Sequence, residues 1–487
     1  MSKSITAILN GISYRSLGSL PTTISELSLN SQELSKGMLF FAIRGAKDDG
    51  HRYVQNAIQN GAAAVVVEVP VIIDSIPQII VADTKIALSR AAANFYDDPT
   101  KNMQVVGVTG TNGKTTTVYL LNEIFKSAGI RPGTVGTLGY SIENERYISN
   151  LTTPDSIRLQ QIFYDMAMRQ VEAAAMEVSS HSLALHRVDD VHFKVGVFTN
   201  ISQDHLDFHA TLEAYANAKS KLFGLIETGG FVVNNLDDEY ADLFRQQARV
   251  RIVNYALQKK ADFSWAPGVA FSNGIHGKII TPGGAIEIDS PLSGEFNLKN
   301  ILAATAVAVN LKIDTKSIAS ALARVSSVPG RLQEIKADGK QRIFVDYAHT
   351  PDAIINVLKT LRTMLAPSGR LLVIFGCGGN RDRTKRPKMA RAVESLADLA
   401  IVTTDNPRFE EPEDIIAEIV KGFSAGYKYR AIVDRKEAIL ETLKHSQPND
   451  IIAILGKGHE TYQEIRGVRH PFYDGEIVEK YFGAAHD

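Results

Sequence analysis

The run Gly110-Thr111-Asn112-Gly113-Lys114-Thr115-Thr116 joins residue types that hold phosphate. Two glycines let the backbone turn tightly so that successive N–H groups face an anion. A lysine reaches the outer phosphate oxygens, and a threonine hydroxyl suits Mg²⁺. The run follows an apolar stretch, Met103 to Val108, that reads as a buried strand, and precedes an amphipathic one, Thr117 to Ala128, that reads as a helix. Strand, glycine loop and helix N-terminus in that order make a phosphate cradle. Valine at 108 stands where the general P-loop pattern has glycine, so the loop is a variant.

MgATP also calls for anionic ligands, because Mg²⁺ prefers a few carboxylate oxygens together with phosphate and water. Glu177 closes the apolar run Ala173 to Val178, and His205 falls in a polar crowd, Thr199 to Asp207, after the run Lys194 to Thr199. Two strand ends thus aim acidic and imidazole groups at one crevice. Read singly, Glu177 serves equally as an ion-pair partner and His205 as a satisfied histidine, while Lys219 reads better as a solvated helix lysine.

The elements that must position these groups divide the chain. With 487 residues, about three domains are expected. Residues 1–98 alternate short apolar runs with helical patterns until Asp97-Asp98-Pro99 breaks them. Residues 99–330 carry the phosphate loop in alternating strand and helix patterns, which imply a mostly parallel α/β sheet, with turns at Asn273-Gly274 and Pro282-Gly283-Gly284 marking a small antiparallel insertion. Val328-Pro329-Gly330-Arg331 is the second boundary. Residues 331–487 then repeat apolar runs at the spacing of a doubly wound, Rossmann-like domain, with Asp346, Gly376, Asp405 and Gly456 at or just beyond strand ends.

Composition narrows the partners. Fifty-three basic against fifty-four acidic side chains give a net charge of −1, so no global field recruits nucleic acid or an anionic membrane. No run approaches the ~20 apolar residues that span a bilayer, and the start lacks a signal pattern. One cysteine, Cys377, excludes an intramolecular disulfide, so a cytoplasmic protein is expected.

In order along the chain stand TGTNGKTT, MEVSSH, TNISQDHLDFH, the Ala218-Lys219 helix, Gly294-Glu295-Phe296-Asn297, PGR, DYAHTPD, GCGGNRD, DNPR and GKGHE. That order resembles the Mur ligases of peptidoglycan synthesis over essentially the whole chain, and among them the members that add diaminopimelate. The resemblance implies an ATP-dependent amide ligase, acting as a monomer on small molecules: ATP, UDP-MurNAc-L-Ala-D-Glu and meso-diaminopimelate. It implies that Gly110, Thr111, Asn112, Gly113, Lys114, Thr115 and Thr116 hold the ATP phosphates, with Asn297, Arg331 and Asp346 also on the nucleotide. Lys114, Glu177, His205 and Lys219 would be catalytic, and Thr115, Glu177, His205 and Lys219 would form the magnesium sites, Lys219 as an N6-carboxylysine formed with CO₂. A neutral amine captures CO₂, and the carbamate product is an anion where an ammonium would repel metal.

The same resemblance places the muramoyl dipeptide on Thr152, Thr153, Ser179 and Arg187, and its UDP end on Ser31, Ala46, Lys47 and Asp48. Diaminopimelate would meet Arg381, Asp405, Asn406, Pro407, Arg408, Gly456 and Glu460. It differs from lysine by a second carboxylate, which a planar guanidinium grips through two parallel charge-assisted bonds. Arg408, in Asp405-Asn406-Pro407-Arg408, is the residue suited to that grip. Sister ligases adding D-glutamate or D-alanyl-D-alanine, and folylpolyglutamate synthases, share the ATP loop, while DNPR and GKGHE speak against them. A nucleotide-binding regulator on the same fold is the reading of another class, and Lys114, Glu177, His205 and Lys219 argue against it.

Overall fold

A computed structural model describes residues 2–45, 48–72, 75–149, 151–336 and 341–483. Three α/β lobes follow one another along the chain, each built on its own sheet. The first has a five-stranded sheet in which Leu27–Ser28, Leu39–Phe41, Ala64–Val67 and Gln78–Ile80 run parallel and Arg15–Leu17 adds an antiparallel edge. The helix Thr84–Phe95, capped by Asp83, packs its buried Ala87, Leu88, Ala91 and Ala92 into the core formed with that sheet.

The second lobe carries an eight-stranded sheet. Pro132–Gly136, Ala173–Glu177, Gln104–Thr109, Phe193–Phe198, Ile226–Asn235 and Arg251–Tyr255 lie side by side and parallel. Their near-continuous burial is what a sheet covered on both faces requires. Glu177 pairs with Val108, and Phe198 with Thr109, so the phosphate loop, Glu177 and Thr199 all emerge at one edge. The helix Lys114–Ser127 starts directly in the loop and buries Val118, Leu121, Ile124 and Phe125 in one core with Glu295–Asn310. It begins three residues before the amphipathic pattern does, because the first turn is polar. The antiparallel insertion is the hairpin Ile275–Thr281 and Gly284–Ser290, with Ser264–Trp265 beside it.

The third lobe holds Arg342–Asp346, Ile451–Leu455, Leu371–Phe375, Leu399–Val402 and Tyr429–Ala431 in parallel, with Gln333–Ile335 antiparallel at the edge. Asp346 and Leu455 are register partners, so the ends that carry Asp346 and Gly456 meet. Among the described residues no helix is long and apolar enough to cross a membrane.

Candidate active site

Gly110 and Gly113 have φ of 144° and 88°, values that L side chains rarely adopt, and they fold the loop back over the sheet edge. Asn112 is pinned twice: its N–H donates to Asn200 Oδ1 (3.0 Å) and its carbonyl accepts from Thr199 Oγ1 (2.6 Å). Lys114 Nζ donates to the carbonyls of Gly110 and Thr111, both at 2.8 Å. Burial pushes this ammonium below its ordinary pKa, and Glu177 opposes the shift.

Glu177 is buried at the floor of the same cleft. Its carboxylate accepts from Thr137 N (2.8 Å) and Thr137 Oγ1 (3.1 Å). Lys219, from the helix Leu212–Gly224, is buried, with Nζ 2.8 Å from Gly110 O and 4.6 Å over the Tyr215 ring. Burial lowers its pKa well below the usual lysine value, and the neighbouring Lys114 charge lowers it further. A lowered pKa favours the neutral amine, the nucleophilic form of a lysine. His205 adopts a left-handed backbone (φ 54°), and its ring meets that of His181 edge-on at 4.9 Å. Burial lowers the His205 pKa too, so its imidazole is neutral and open to a metal.

The third lobe closes the cleft from the opposite side. Arg331 Nη2 donates to Thr115 Oγ1 at 2.8 Å, its guanidinium lies 4.7 Å over Tyr347, and its buried Nε has no partner among the described residues. Asp346 accepts from the N–H groups of Leu332 (2.5 Å) and Ala348 (2.6 Å), while burial raises its pKa. Asn112 Nδ2 reaches Asp352 (3.0 Å), and Lys388 reaches Gln203 (2.7 Å). Asp204 faces His205 at 3.4 Å and, from the third lobe, His349 at 3.9 Å and Lys385 at 4.0 Å. Burial opposes its ionisation, yet the Lys385 ammonium and the backbone N–H of His205 help hold its carboxyl below the usual range. Asn297 stands behind the cleft wall: its amide serves Ser293 O (2.8 Å) and Asn300 (3.0 Å), and Asn300 and Lys299 take the lining positions.

The dipeptide set is brought together beside Glu177. Thr153 Oγ1 donates to Glu177 O (2.8 Å) and accepts from Ser179 N (3.1 Å), Arg187 Nη1 reaches Thr153 O (3.3 Å), and Thr152 and Ser179 line the cleft. In the first lobe Ser31 is buried with its carbonyl on Asn60 Nδ2 (2.8 Å), and Asp48 accepts from Tyr53 OH (2.6 Å). Ala46 and Lys47 lie outside the described residues.

Of the diaminopimelate set, Arg381 lines the cleft, and the others cluster behind it. Asn406 Nδ2 donates to Glu460 (2.8 Å), and Pro407 carries the turn into Arg408, whose Nη1 donates to Gly379 O (2.8 Å). A Cβ on Gly378 would lie 2.9 Å from Arg408 Nη1 and 3.8 Å from Arg381 Cγ, so both arginines converge there. Gly456 has φ 111°, and a Cβ on it would lie 2.6 Å from Asp405 Oδ2; any other residue would displace that carboxylate. The fully buried Lys457 joins the group, with Nζ on Asn406 Oδ1 (3.0 Å) and Glu460 (2.8 Å). Sequence reasoning passed over Lys457 and His349, although both sit inside the motifs GKGHE and DYAHTPD. It also missed Asp204 and Thr137, whose roles come only from long-range contacts.

The cleft, of about 520 Å³, has room for a triphosphate. Its donors fit one: loop N–H groups at a helix start, Lys114, and the unpartnered Arg331 Nε. Thr115 and Glu177 line the same cleft and carry oxygens that could serve as ligands. Among the described residues no three His, Cys, Asp or Glu side chains are grouped to hold a metal. A cation here would complete its shell from phosphate and water, the habit of Mg²⁺.

Three family models match the chain: the Mur ligase family, catalytic domain over residues 23–103, the Mur ligase middle domain over 108–308, and the Mur ligase, glutamate ligase domain over 330–458. A UDP-N-acetylmuramoyl-L-alanyl-D-glutamate–2,6-diaminopimelate ligase from Bacillus licheniformis is 39% identical over 99% of this chain and 98% of its own. The enzyme of the same name from Aquifex aeolicus is 42% identical over 96% of each chain. A solved structure of that name is 34% identical, covers 100% of both chains and superposes with a TM-score of 0.70.

Proposed function

The chain belongs to the Mur ligase family, and from that premise we infer that it joins meso-2,6-diaminopimelate to UDP-N-acetylmuramoyl-L-alanyl-D-glutamate at the expense of ATP, a step of peptidoglycan synthesis in the cytoplasm. The observation that carries this reading is the third lobe's double engagement. One of its edges touches the phosphate loop through Arg331, while the same lobe gathers Arg381, Asp405, Asn406, Arg408 and Glu460. In this reading residues 1–98 hold the UDP end, 99–330 the ATP and the dipeptide, and 331–487 the amino acid. The protein acts as a monomer.

A carboxylate does not accept an amine at neutral pH, because oxide is too poor a leaving group. Transfer of the γ-phosphoryl to the D-glutamate carboxylate makes an acyl phosphate that does. Lys114, the loop N–H groups and Arg331 stabilise charge on the phosphoryl oxygens during that transfer. Thr115, Glu177, His205 and a carboxylated Lys219 would hold Mg²⁺, which when bound would supply further positive charge to those oxygens. The lowered pKa of the Lys219 amine supports its capture of CO₂, which only the neutral form performs. Thr152, Thr153, Ser179 and Arg187 orient the dipeptide. Asp405 and Glu460 suit the far ammonium of diaminopimelate, and Arg408 its far carboxylate. The amine nitrogen attacks the acyl carbon and phosphate leaves. Closure of the third lobe keeps water from the acyl phosphate.

The test is release of ADP and formation of amide across a panel of amino acids with the dipeptide acceptor supplied. Turnover with meso-diaminopimelate is expected, and equal turnover with L-lysine would remove the specificity.

A further inference from the structure

His459 lies between Gly456 and Glu460 in the amino-acid turn, yet its side chain reaches into the central lobe: Nε2 is 3.1 Å from the carbonyl oxygen of Thr137. A carbonyl only accepts, so Nε2 carries the proton and donates it. The ring packs against Tyr347 at 5.3 Å, and Tyr347 lies under the Arg331 guanidinium at 4.7 Å. Backbone contact backs the side chain, since a Cβ on Gly458 would lie 2.8 Å from Gly330 O.

Thr137 is no arbitrary landing point. Its N–H and hydroxyl hold the two oxygens of Glu177 at 2.8 and 3.1 Å, and its hydroxyl is 3.2 Å from that of Thr152, placed with the dipeptide. Gly136 leaves the room this needs, because a Cβ there would lie 2.5 Å from Glu177 Oε1. One residue therefore touches the floor of the phosphate cleft, the acceptor side and the amino-acid turn.

We propose that the His459–Thr137 hydrogen bond is a positioning latch that registers the amine-presenting turn against the acyl centre, so that phosphoryl transfer is followed by aminolysis and not by hydrolysis. This rests on the ligase reading above. In the productive branch the amine nitrogen bonds to the acyl carbon, the bond from that carbon to the phosphate oxygen breaks, and phosphate leaves with the electron pair and takes up the amine proton. With the turn out of register, a water oxygen makes the same attack. The carboxylate returns, and ATP has been hydrolysed without an amide. His459 acts through Thr137, as a positioning residue.

The experiment compares wild type, His459→Gln and His459→Met, reading moles of ADP released per mole of amide at saturating substrates, with the KM for diaminopimelate and for ATP. Glutamine keeps an N–H for the Thr137 carbonyl, and methionine keeps bulk without a donor. The methionine variant is expected to release severalfold more ADP than amide and to raise the KM for diaminopimelate about tenfold, the scale of one hydrogen bond, with the KM for ATP within about twofold. The glutamine variant should return the ratio toward that of wild type. A methionine variant that stays coupled one to one, or a glutamine variant no better coupled than methionine, overturns the latch while leaving the ligase reading intact. A wild-type protein that forms no amide overturns both.

Discussion

Arg331 Nη2 and Thr115 Oγ1 meet at 2.8 Å although 216 residues separate them in the chain. The bond carries the third lobe onto the first turn of the phosphate-loop helix, and it leaves the guanidinium's Nε buried and, among the described residues, without a partner. A buried donor left unsatisfied is costly, so a phosphate oxygen there would gain what the lobe contact alone does not use. Arg331→Ala is expected to lower kcat/KM for ATP by about 10- to 100-fold, the scale of a charge-assisted hydrogen bond. Arg331→Lys should recover little, because an ammonium cannot reproduce the planar fork or its stacking on Tyr347. Initial rates against ATP concentration, with melting temperatures to show that both variants fold, decide the matter.

Lys219 presents a buried amine 2.8 Å from Gly110 O, with its pKa driven down by burial and by Lys114. If carboxylation puts an anion there, Lys219→Ala should lose about 100-fold or more in turnover, the scale of losing one preorganised electrostatic partner. Short carboxylic acids added to the assay should restore part of it by occupying the vacated space. Full activity in the alanine variant, or no response to formate or acetate, would show that no carbamate is needed.

Asp450 gives a pH dependence separate from catalysis. Its buried carboxylate accepts from Arg370 Nη2 (2.6 Å), Arg370 N (2.9 Å) and Gln447 N (2.8 Å) at the start of the strand Ile451–Leu455. Burial alone would raise its pKa, but those bonds hold it below the ordinary value of 3.8. The folded state thus binds this proton less readily than the unfolded chain. The stabilisation is present in full above the unfolded value and is lost as pH falls through the folded one. Asp450→Asn should therefore cost about 1.5–3 kcal/mol at pH 7. The gap from wild type should close as denaturant melts are repeated below about pH 4. A gap that widens on acidification would refute the assignment.

The three sheets and the phosphate loop were legible because buried parallel strands write themselves as continuous apolar runs, and Gly110, Gly113 and Lys114 have few other uses in that setting. Asn297 came from the family resemblance and not from periodicity; it hydrogen-bonds to Asn300, and Asn300 takes the position lining the cleft. Asp204 was hidden more deeply. It reads as one more acid in a polar run, and only the meeting of His205 with His349 and Lys385, far apart in sequence, makes it a junction between lobes. Such contacts follow from lobe closure, which no local pattern records.

Arg408 is the residue we propose for amino-acid choice. Its backbone is fixed at φ 54°, with its N–H on Glu464 O at 3.0 Å and its carbonyl accepting from Arg466 N at 2.6 Å, so the loop after Pro407 cannot swing freely. The guanidinium spends Nη1 on Gly379 O and has Nε 3.4 Å from Glu464, which fixes its plane and leaves other donors for a carboxylate arriving past Arg381. Pairing with the far carboxylate of diaminopimelate would then be a contact that L-lysine cannot make. Arg408→Met should lower kcat/KM for meso-diaminopimelate at least about 100-fold, as truncating one partner of a desolvated charge pair does. Use of L-lysine should change less than about threefold, because that substrate has no far carboxylate to engage the side chain. Parallel losses for the two amino acids would mean that Arg408 only braces Gly379 and Glu464, and selection would have to be sought at Arg381.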